Sequence, residues 1–334
     1  MKPVIFGLSG PVLTPDEAAL FREADPLGYI LFARNCIDRD QMRALTDSLR
    51  SLSGREDLPI LIDQEGGRVS RMRPPIWPDF PAPAAFARLY AKAPSSAIAA
   101  ARANAQAIGA MLAEVGVTVD AMPLLDVAQP GMTVAIGDRS YGADPMQVAA
   151  LGRATLDGLA AAGVVGIVKH MPGHGRAVVD SHLELPRVSA SADDLATDLA
   201  PFATLSQAPM AMTAHVVFDA WDADRPATLS PVVIADIIRR RIGFDGLLMT
   251  DDIDMKALTG TAADKASAAI DAGCDVVLDC WARMDEMTAI AARLADIAPV
   301  SRARLDRAMA SVGGVDPVPV ADLVATRDRL LALA

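Results

Sequence analysis

Short Val/Ile/Leu-rich runs alternate with longer amphipathic stretches along almost the whole chain, and this alternation constrains the fold more than any other feature. The runs cover residues 3–7, 28–32, 59–62, 117–123, 164–168, 209–214, 246–250 and 275–279. Most are continuously apolar, which is the pattern of parallel strands buried on both faces. Between them, residues 15–24, 39–52, 97–115, 145–162, 191–206, 230–241 and 262–272 carry helical patterning. Thr14-Pro15-Asp16-Glu17 supplies an N-cap, a proline at the first helical position and acids in the first turn. Gly163, Gly243 and Gly273 stand where helices should stop. Repeated β–α units give either a doubly wound sheet or a closed barrel. Eight units in 334 residues match a (β/α)8 barrel with insertions. No composition break marks a linker, so the expectation is one catalytic domain over residues 1–334, with further helices at about 301–334. The Pro-spaced segment 74–86 reads as a long loop after the third strand.

An apolar content of 52% with 22% charged residues describes a globular protein with a large core. The net charge of −11 argues against nucleic acid and anionic membranes as partners. No run is long enough for a transmembrane helix. The N-terminal run is broken by Pro3 and Gly7 and reads as a first core strand rather than a signal peptide. Cys36, Cys274 and Cys280 are scattered, without metal-ligand spacing, and are expected to be reduced thiols. A cytoplasmic location follows as the expectation.

In such barrels the active site lies at the C-terminal ends of the strands. The third strand here ends on Asp63-Gln64-Glu65, the fourth leads to Asp126, and the fifth ends on Lys169-His170. The sixth ends on His215 and the seventh on Asp251-Asp252. The chain has only four histidines, and His170, His174 and His182 share one Gly- and Pro-rich loop after the fifth strand. Histidine is the side chain that titrates nearest neutral pH, so the concentration points to proton transfer.

Asp180 and His182 are two residues apart in a non-helical stretch, and an extended conformation would point both side chains the same way. A carboxylate on one imidazole nitrogen fixes the tautomer and leaves the other nitrogen to exchange a proton. Asp251, at the end of an apolar strand, is suited to act as an ionised nucleophile. A nucleophilic carboxylate facing a separate acid/base is the arrangement of retaining glycoside hydrolysis. A metal site competes with this reading, because Asp251-Asp252 could hold a hard cation. Against it, Pro172 and Gly173 prevent a helix that would align His170 with His174, and no HExxH motif occurs.

The segment KHMPGHGRAVVDSH at 169–182 closely resembles the signature of glycoside hydrolase family 3 β-N-acetylglucosaminidases. LIDQEGGRVSRM at 61–72, DRSYG at 138–142, MTAHV at 212–216 and TDDIDMKA at 250–257 resemble the family's other motifs in the same order, and LGYILFARN at 27–35 is similar to its second strand. The likeness runs from about residue 5 to 285.

It implies that Asp251 is the nucleophile and His182 the general acid/base, with Asp180 as its dyad partner. It also implies that Asp63, Arg71, Arg139, Lys169 and His170 bind the terminal sugar and its surroundings. His174 and His215 would support the loop and the site, and neither Glu65 nor Asp252 would be a catalyst. Because the chain ends soon after the barrel and carries its acid/base candidate within it, the resemblance favours an enzyme removing non-reducing N-acetylglucosamine from muropeptides during cell-wall recycling. Such an enzyme would be monomeric, with a carbohydrate substrate, no cofactor and no metal. Asp254 and Met171 depart from the usual Ser and Phe. Three alternatives remain: a family relative with another sugar preference or a phosphorylase, a metal-dependent barrel hydrolase, and a sugar-binding protein without catalysis.

Overall fold

Eight parallel strands close into a barrel in the computed structural model, which describes residues 1–315 and 318–334. In chain order they are β1 (Lys2–Gly7), β2 (Pro26–Leu31), β3 (Ile60–Ile62), β4 (Val119–Asp120), β5 (Val165–Met171), β6 (Met210–Thr213), β7 (Leu247–Asp252) and β8 (Val276–Asp279). β1 pairs with both β2 and β8, which closes the ring. The fold is a (β/α)8 barrel, and every run read as a strand supplies one.

The continuous apolar runs are explained by two separate cores. Ile5, Ile30, Leu61, Ile167, Met210 and Met249 point inward and fill the barrel. Their neighbours Val4, Phe6, Leu31, Ile60, Val168 and Leu248 point outward and pack beneath the helices. Successive residues on a strand face opposite sides, so a strand covered on both faces has no polar position to spare. Leu305, Ala308 and Met309 of helix Pro299–Met309 join the inner cluster. The last helix, Val320–Leu331, is anchored through Arg327, which donates to Asn104 Oδ1 at 3.2 Å and to the Asp79 carbonyl at 3.2 Å.

Local signals behave as their chemistry dictates. Thr14 and Glu17 form a reciprocal capping box on helix Pro15–Ala24. Gly273 ends helix Ala262–Ala272 in a left-handed conformation.

Four details differ from the sequence reading. The segment 74–86 is not wholly a loop, because helix Pro83–Tyr90 begins inside it; Pro83 sits at the first helical position and Phe86 and Leu89 bury. The stretch read as helix 230–241 is helical, but over Val233–Arg241 it is a wide π-type helix whose Ile242 N–H reaches the Ile237 carbonyl five residues back. The fourth run forms ladder pairs only at Val119–Asp120. A small sheet of Arg187–Val188, Val217–Phe218 and Asp222–Pro226 lies outside the barrel and was not read; two of its strands have only two residues, and the third, DADRP, is polar and mostly exposed.

Candidate active site

The C-terminal ends of the strands surround a cavity of about 490 Å³, within the ~300–1,000 Å³ common for small-molecule sites. All eight residues named from the sequence, Asp63, Arg71, Arg139, Lys169, His170, Asp180, His182 and Asp251, line it.

Two strands contribute adjacent residues to one cavity, although strand neighbours should face opposite ways. In both places the ladder is irregular. The register between β5 and β6 shifts between Val168 and Met171, and Lys169 and His170 both reach the cavity. The register between β7 and β8 shifts between Met249 and Asp252, and Asp251 and Asp252 both line it. Such irregularities re-aim side chains near active sites.

The floor is a closed network of charges. Lys169, buried in the barrel mouth, donates to Glu65 Oε1 at 2.7 Å and to Asp63 Oδ1 at 3.2 Å. Arg139 grips Glu65 with two bonds of 2.8 and 2.7 Å. Arg71 donates to Asp63 Oδ2 at 2.9 Å while its guanidinium lies 5.2 Å over the Phe32 ring. Burial pushes both carboxyls up, but the cations outweigh it. Lys169 and Arg71 hold Asp63 well below the usual carboxylate range, and Arg139 and Lys169 bring Glu65 down to about 2. Burial disfavours the Lys169 ammonium, yet Glu65 and Asp63 reverse this and raise its pKa. Asp63, Glu65 and Lys169 are therefore ionised at neutral pH.

His170 bridges this floor to Asp251. Its Nδ1 lies 2.8 Å from Asp126 Oδ2, so Nε2 is left facing Asp251 Oδ2 at 3.9 Å. Asp126 Oδ1 also accepts the N–H of His170 at 3.2 Å and of His174 at 2.7 Å, fixing the root of the long loop. Asp251 Oδ1 accepts the N–H of Asp252 at 2.8 Å. Burial raises the Asp251 carboxyl, but His170, His215 and the Asp252 N–H hold it below the usual range. It is an ionised, oriented carboxylate.

Its neighbour differs. The Asp252 carboxylate turns toward β8, accepting from Trp281 Nε1 at 3.0 Å, Cys280 N at 3.4 Å and Asp254 N at 3.2 Å. Burial and the charge of Asp251 push it up to about 7. His215 is locked between Thr228 Oγ1 at 2.7 Å and the Asp252 carbonyl at 2.9 Å, a structural position behind the nucleophile candidate.

Asp180 and His182 meet, but through a turn rather than an extended segment. Asp180 Oδ1 accepts both the His182 backbone N–H at 2.9 Å and Nδ1 at 2.7 Å, while its carbonyl accepts from Leu183 at 2.9 Å. Asp side chains readily bond backbone two residues ahead, which closes the chain into a turn. His182 Nε2 is thereby left for a substrate, on a side chain that is 64% exposed. His174, deeper in the same loop, contacts Ser181 Oγ at 3.3 Å, and burial brings its pKa down to about 4.

Sequence reasoning missed the partners that the closed barrel creates. Glu65 is the hub of Lys169 and Arg139, and Asp126 orients His170. Their strand-end placement was visible, but contacts across 74 and 44 residues of chain were not. Phe32 and Arg34 of the 27–35 segment and Arg68 of the 61–72 segment also line the cavity, though they were not singled out, and Trp281 lines it from outside every motif. Among the described residues, no group of three or more His, Cys, Asp or Glu side chains is placed to hold a metal ion, and no helix is long and apolar enough to cross a membrane.

A strand-end pocket with an ionised carboxylate on the seventh strand, a charged floor and a histidine–aspartate pair above it has the layout of a barrel glycoside hydrolase. The chain belongs to glycosyl hydrolase family 3: residues 17–315 match that family's N-terminal domain. It is 38% identical over 312 residues to a protein named beta-hexosaminidase from Alkalilimnicola ehrlichii, covering 92% of this chain and 88% of the relative. A beta-hexosaminidase from Aromatoleum aromaticum is 38% identical over 325 residues, covering 95% and 90%. The crystal structure of NagZ from Neisseria gonorrhoeae in complex with N-trifluoroacetyl-D-glucosamine superposes with a TM-score of 0.89 at 31% identity, over 100% of this chain and 98% of that one. Glycoside hydrolysis is thus the class of reaction.

Proposed function

We propose that the protein is a retaining β-N-acetylhexosaminidase that removes non-reducing terminal β-linked N-acetylglucosamine from muropeptides, in the cytoplasm, as a monomer acting through one catalytic domain over residues 1–334. The observation that carries this reading is Asp251: an ionised carboxylate oriented by the next residue's N–H, in the same cavity as Asp180 and His182. The beta-hexosaminidase names of the relatives and the N-acylated glucosamine bound in the Neisseria structure supply the choice of sugar. The placement in peptidoglycan recycling comes from the sequence resemblance.

In this reading the sugar lies on the floor. Asp63 accepts from its hydroxyls, and Arg71, Arg139, Lys169 and His170 donate to it or hold its surroundings. His182 Nε2 gives a proton to the glycosidic oxygen as an Asp251 oxygen attacks the anomeric carbon. The aglycone leaves and a glycosyl–enzyme ester forms. His182 then takes a proton from water, whose oxygen attacks the same carbon and frees Asp251. Asp180 holds Nδ1 throughout, so the proton always passes through Nε2.

The test compares purified protein on an aryl β-N-acetylglucosaminide and an aryl β-glucoside, with chelator present. Turnover of the acetamido sugar alone is expected. Activity on the glucoside would discard the cell-wall substrate, and activity that a chelator abolishes would move the chemistry to a metal.

A further inference from the structure

The cavity grades from a buried floor to an exposed rim, and one rim residue has no part in the chemistry above. Trp281 is 58% exposed, whereas Trp77 is buried. Isolated surface apolar residues are ordinary, but Trp281 lines the catalytic cavity and is held there at its one polar atom. Its Nε1 donates to Asp252 at 3.0 Å, directly beside Asp251. Among the described residues, no aromatic ring or guanidinium stacks on it.

The turn that carries it is built at some cost. Ala282 has φ +57°, a left-handed conformation that alanine rarely takes. Arg283 secures the far side by pairing with Asp254 and Glu286, and Asp254 also faces Lys265 Nζ at 3.7 Å. The turn after β8 is thus braced to the turn after β7 on both sides of the indole. Backbone strain held by its surroundings is a common mark of a functional position.

The same rim holds His182, the group that must meet the glycosidic oxygen. A leaving group bonded to that oxygen lies outside the floor, at the level of the rim. We propose that Trp281 is the platform of a leaving-group subsite, against which a saccharide ring stacks its apolar face. An indole offers a large, rigid apolar surface while its N–H is satisfied elsewhere. This rests on the glycosidase reading and adds a preference for a sugar, rather than a small group, as the portion released.

The test uses the full chain and two substrates with the same terminal sugar: N,N′-diacetylchitobiose, whose leaving group is a sugar, and β-N-acetylglucosaminyl fluoride, whose leaving group is one atom. Trp281→Ala is expected to lower the ratio of disaccharide to fluoride kcat/KM by about tenfold or more, mainly through KM for the disaccharide. Trp281→Phe keeps a ring without the Nε1 donor and is expected to hold the ratio within about threefold of wild type. Equal loss on both substrates in Trp281→Ala would make the residue a brace for Asp252, and an unchanged ratio would leave the platform without function; either result overturns the proposal. If the wild type turns over neither substrate, the glycosidase reading fails first and the subsite with it.

Discussion

The two halves of the cavity are built on opposite principles. The floor is a lattice of buried, mutually satisfied charges, in which Lys169 and Arg139 share Glu65 and both Lys169 and Arg71 hold Asp63. The rim is exposed, and its Asp180–His182 pair is held by a local turn. A group that attacks a carbon must be fixed, and its surroundings can be dry. A group that gives a proton to a departing aglycone and then takes one from water needs access. Under the proposed mechanism, the contrast teaches that the two catalytic tasks fall to environments matched to their need for solvent.

The sharpest way to break this contrast is to remove the fixed carboxylate. Asp251→Ala should lower turnover of an activated aryl substrate by about 10⁴-fold, as loss of a covalent nucleophile does. Retention of more than a few per cent of wild-type rate would take the nucleophile's role from Asp251.

The rim should fail differently. His182→Ala should slow substrates with poor leaving groups by about 10²–10⁴-fold. Aryl substrates, whose nitrophenolate hardly needs a proton, should suffer far less in glycosylation. A loss in that step independent of leaving-group pKa would show that the rim histidine is not an acid.

Floor and rim should also separate in stability. Glu65→Ala would leave Lys169 and Arg139 buried beside one fewer carboxylate, and breaking a buried pair costs about 3–5 kcal/mol. Asp180→Ala sits on the exposed rim and should cost less than about 1 kcal/mol. Urea denaturation of the two variants measures the difference, and similar losses would erase the distinction.

A pH-dependent effect is expected from Asp120, buried at the end of β4 between the inward-facing Val119 and Ala121. Its Oδ1 accepts the Gln64 N–H at 2.9 Å, its Oδ2 has no partner, and burial pushes its pKa up to about 8. An unfolded Asp titrates near ~3.9. Between about pH 4 and 8 the folded state therefore holds the extra proton, and this group's contribution to stability falls as pH rises. Glu65 works the other way: its contribution is complete above the unfolded value near ~4.3 and is lost as pH falls toward about 2. Asp120→Asn keeps an acceptor but no titrating proton. It should flatten, without abolishing, the decline in stability between pH 5 and 8, since Asp252 and Asp279 are also raised to about 7. An unaltered slope in urea titrations across that range would show Asp120 to be ionised.

The barrel was legible because its physical cause is local. A parallel strand covered on both faces is apolar at most positions, and most runs from residues 3–7 to 275–279 show this, with polar residues such as Asp120, Asp275 and Asp279 the exceptions. Helix Pro83–Tyr90 was hidden because the prolines of 74–83 mask its start. Two-residue strands such as Arg187–Val188 are too short to carry a period. The eight site residues were legible as strand-end or loop positions with motif context, and they do share one cavity. Their mutual contacts were not. Glu65 meeting Arg139, and Asp126 meeting His170, depend on how the ring of strands closes. The turn joining Asp180 to His182 was misread because spacing alone does not distinguish an extended pair from one closed by a side-chain bond to backbone.

The loop that bears His182 is anchored much further out than its exposure suggests. A Cβ on Gly175 would lie 1.8 Å from the Val127 carbonyl oxygen, so the chain passes against that wall with no clearance. Arg176 is tethered to Asp198 at 2.7 Å, and the Ala177 carbonyl accepts from Thr133 at 2.9 Å. Beyond this post only residues 178–182 separate the anchor from the imidazole, a tether of at most about 17 Å when fully extended. The Ser181 carbonyl, bonded to Ala257 N at 3.2 Å, holds the outer part of the loop to the turn after β7. In mechanical terms His182 rides on a short arm clamped at its base and latched near its tip. Its travel is limited by the Ser181–Ala257 bond, by the His174–Ser181 contact at 3.3 Å and by the few residues beyond the clamp, and a bulkier residue at 175 would move the base of the arm.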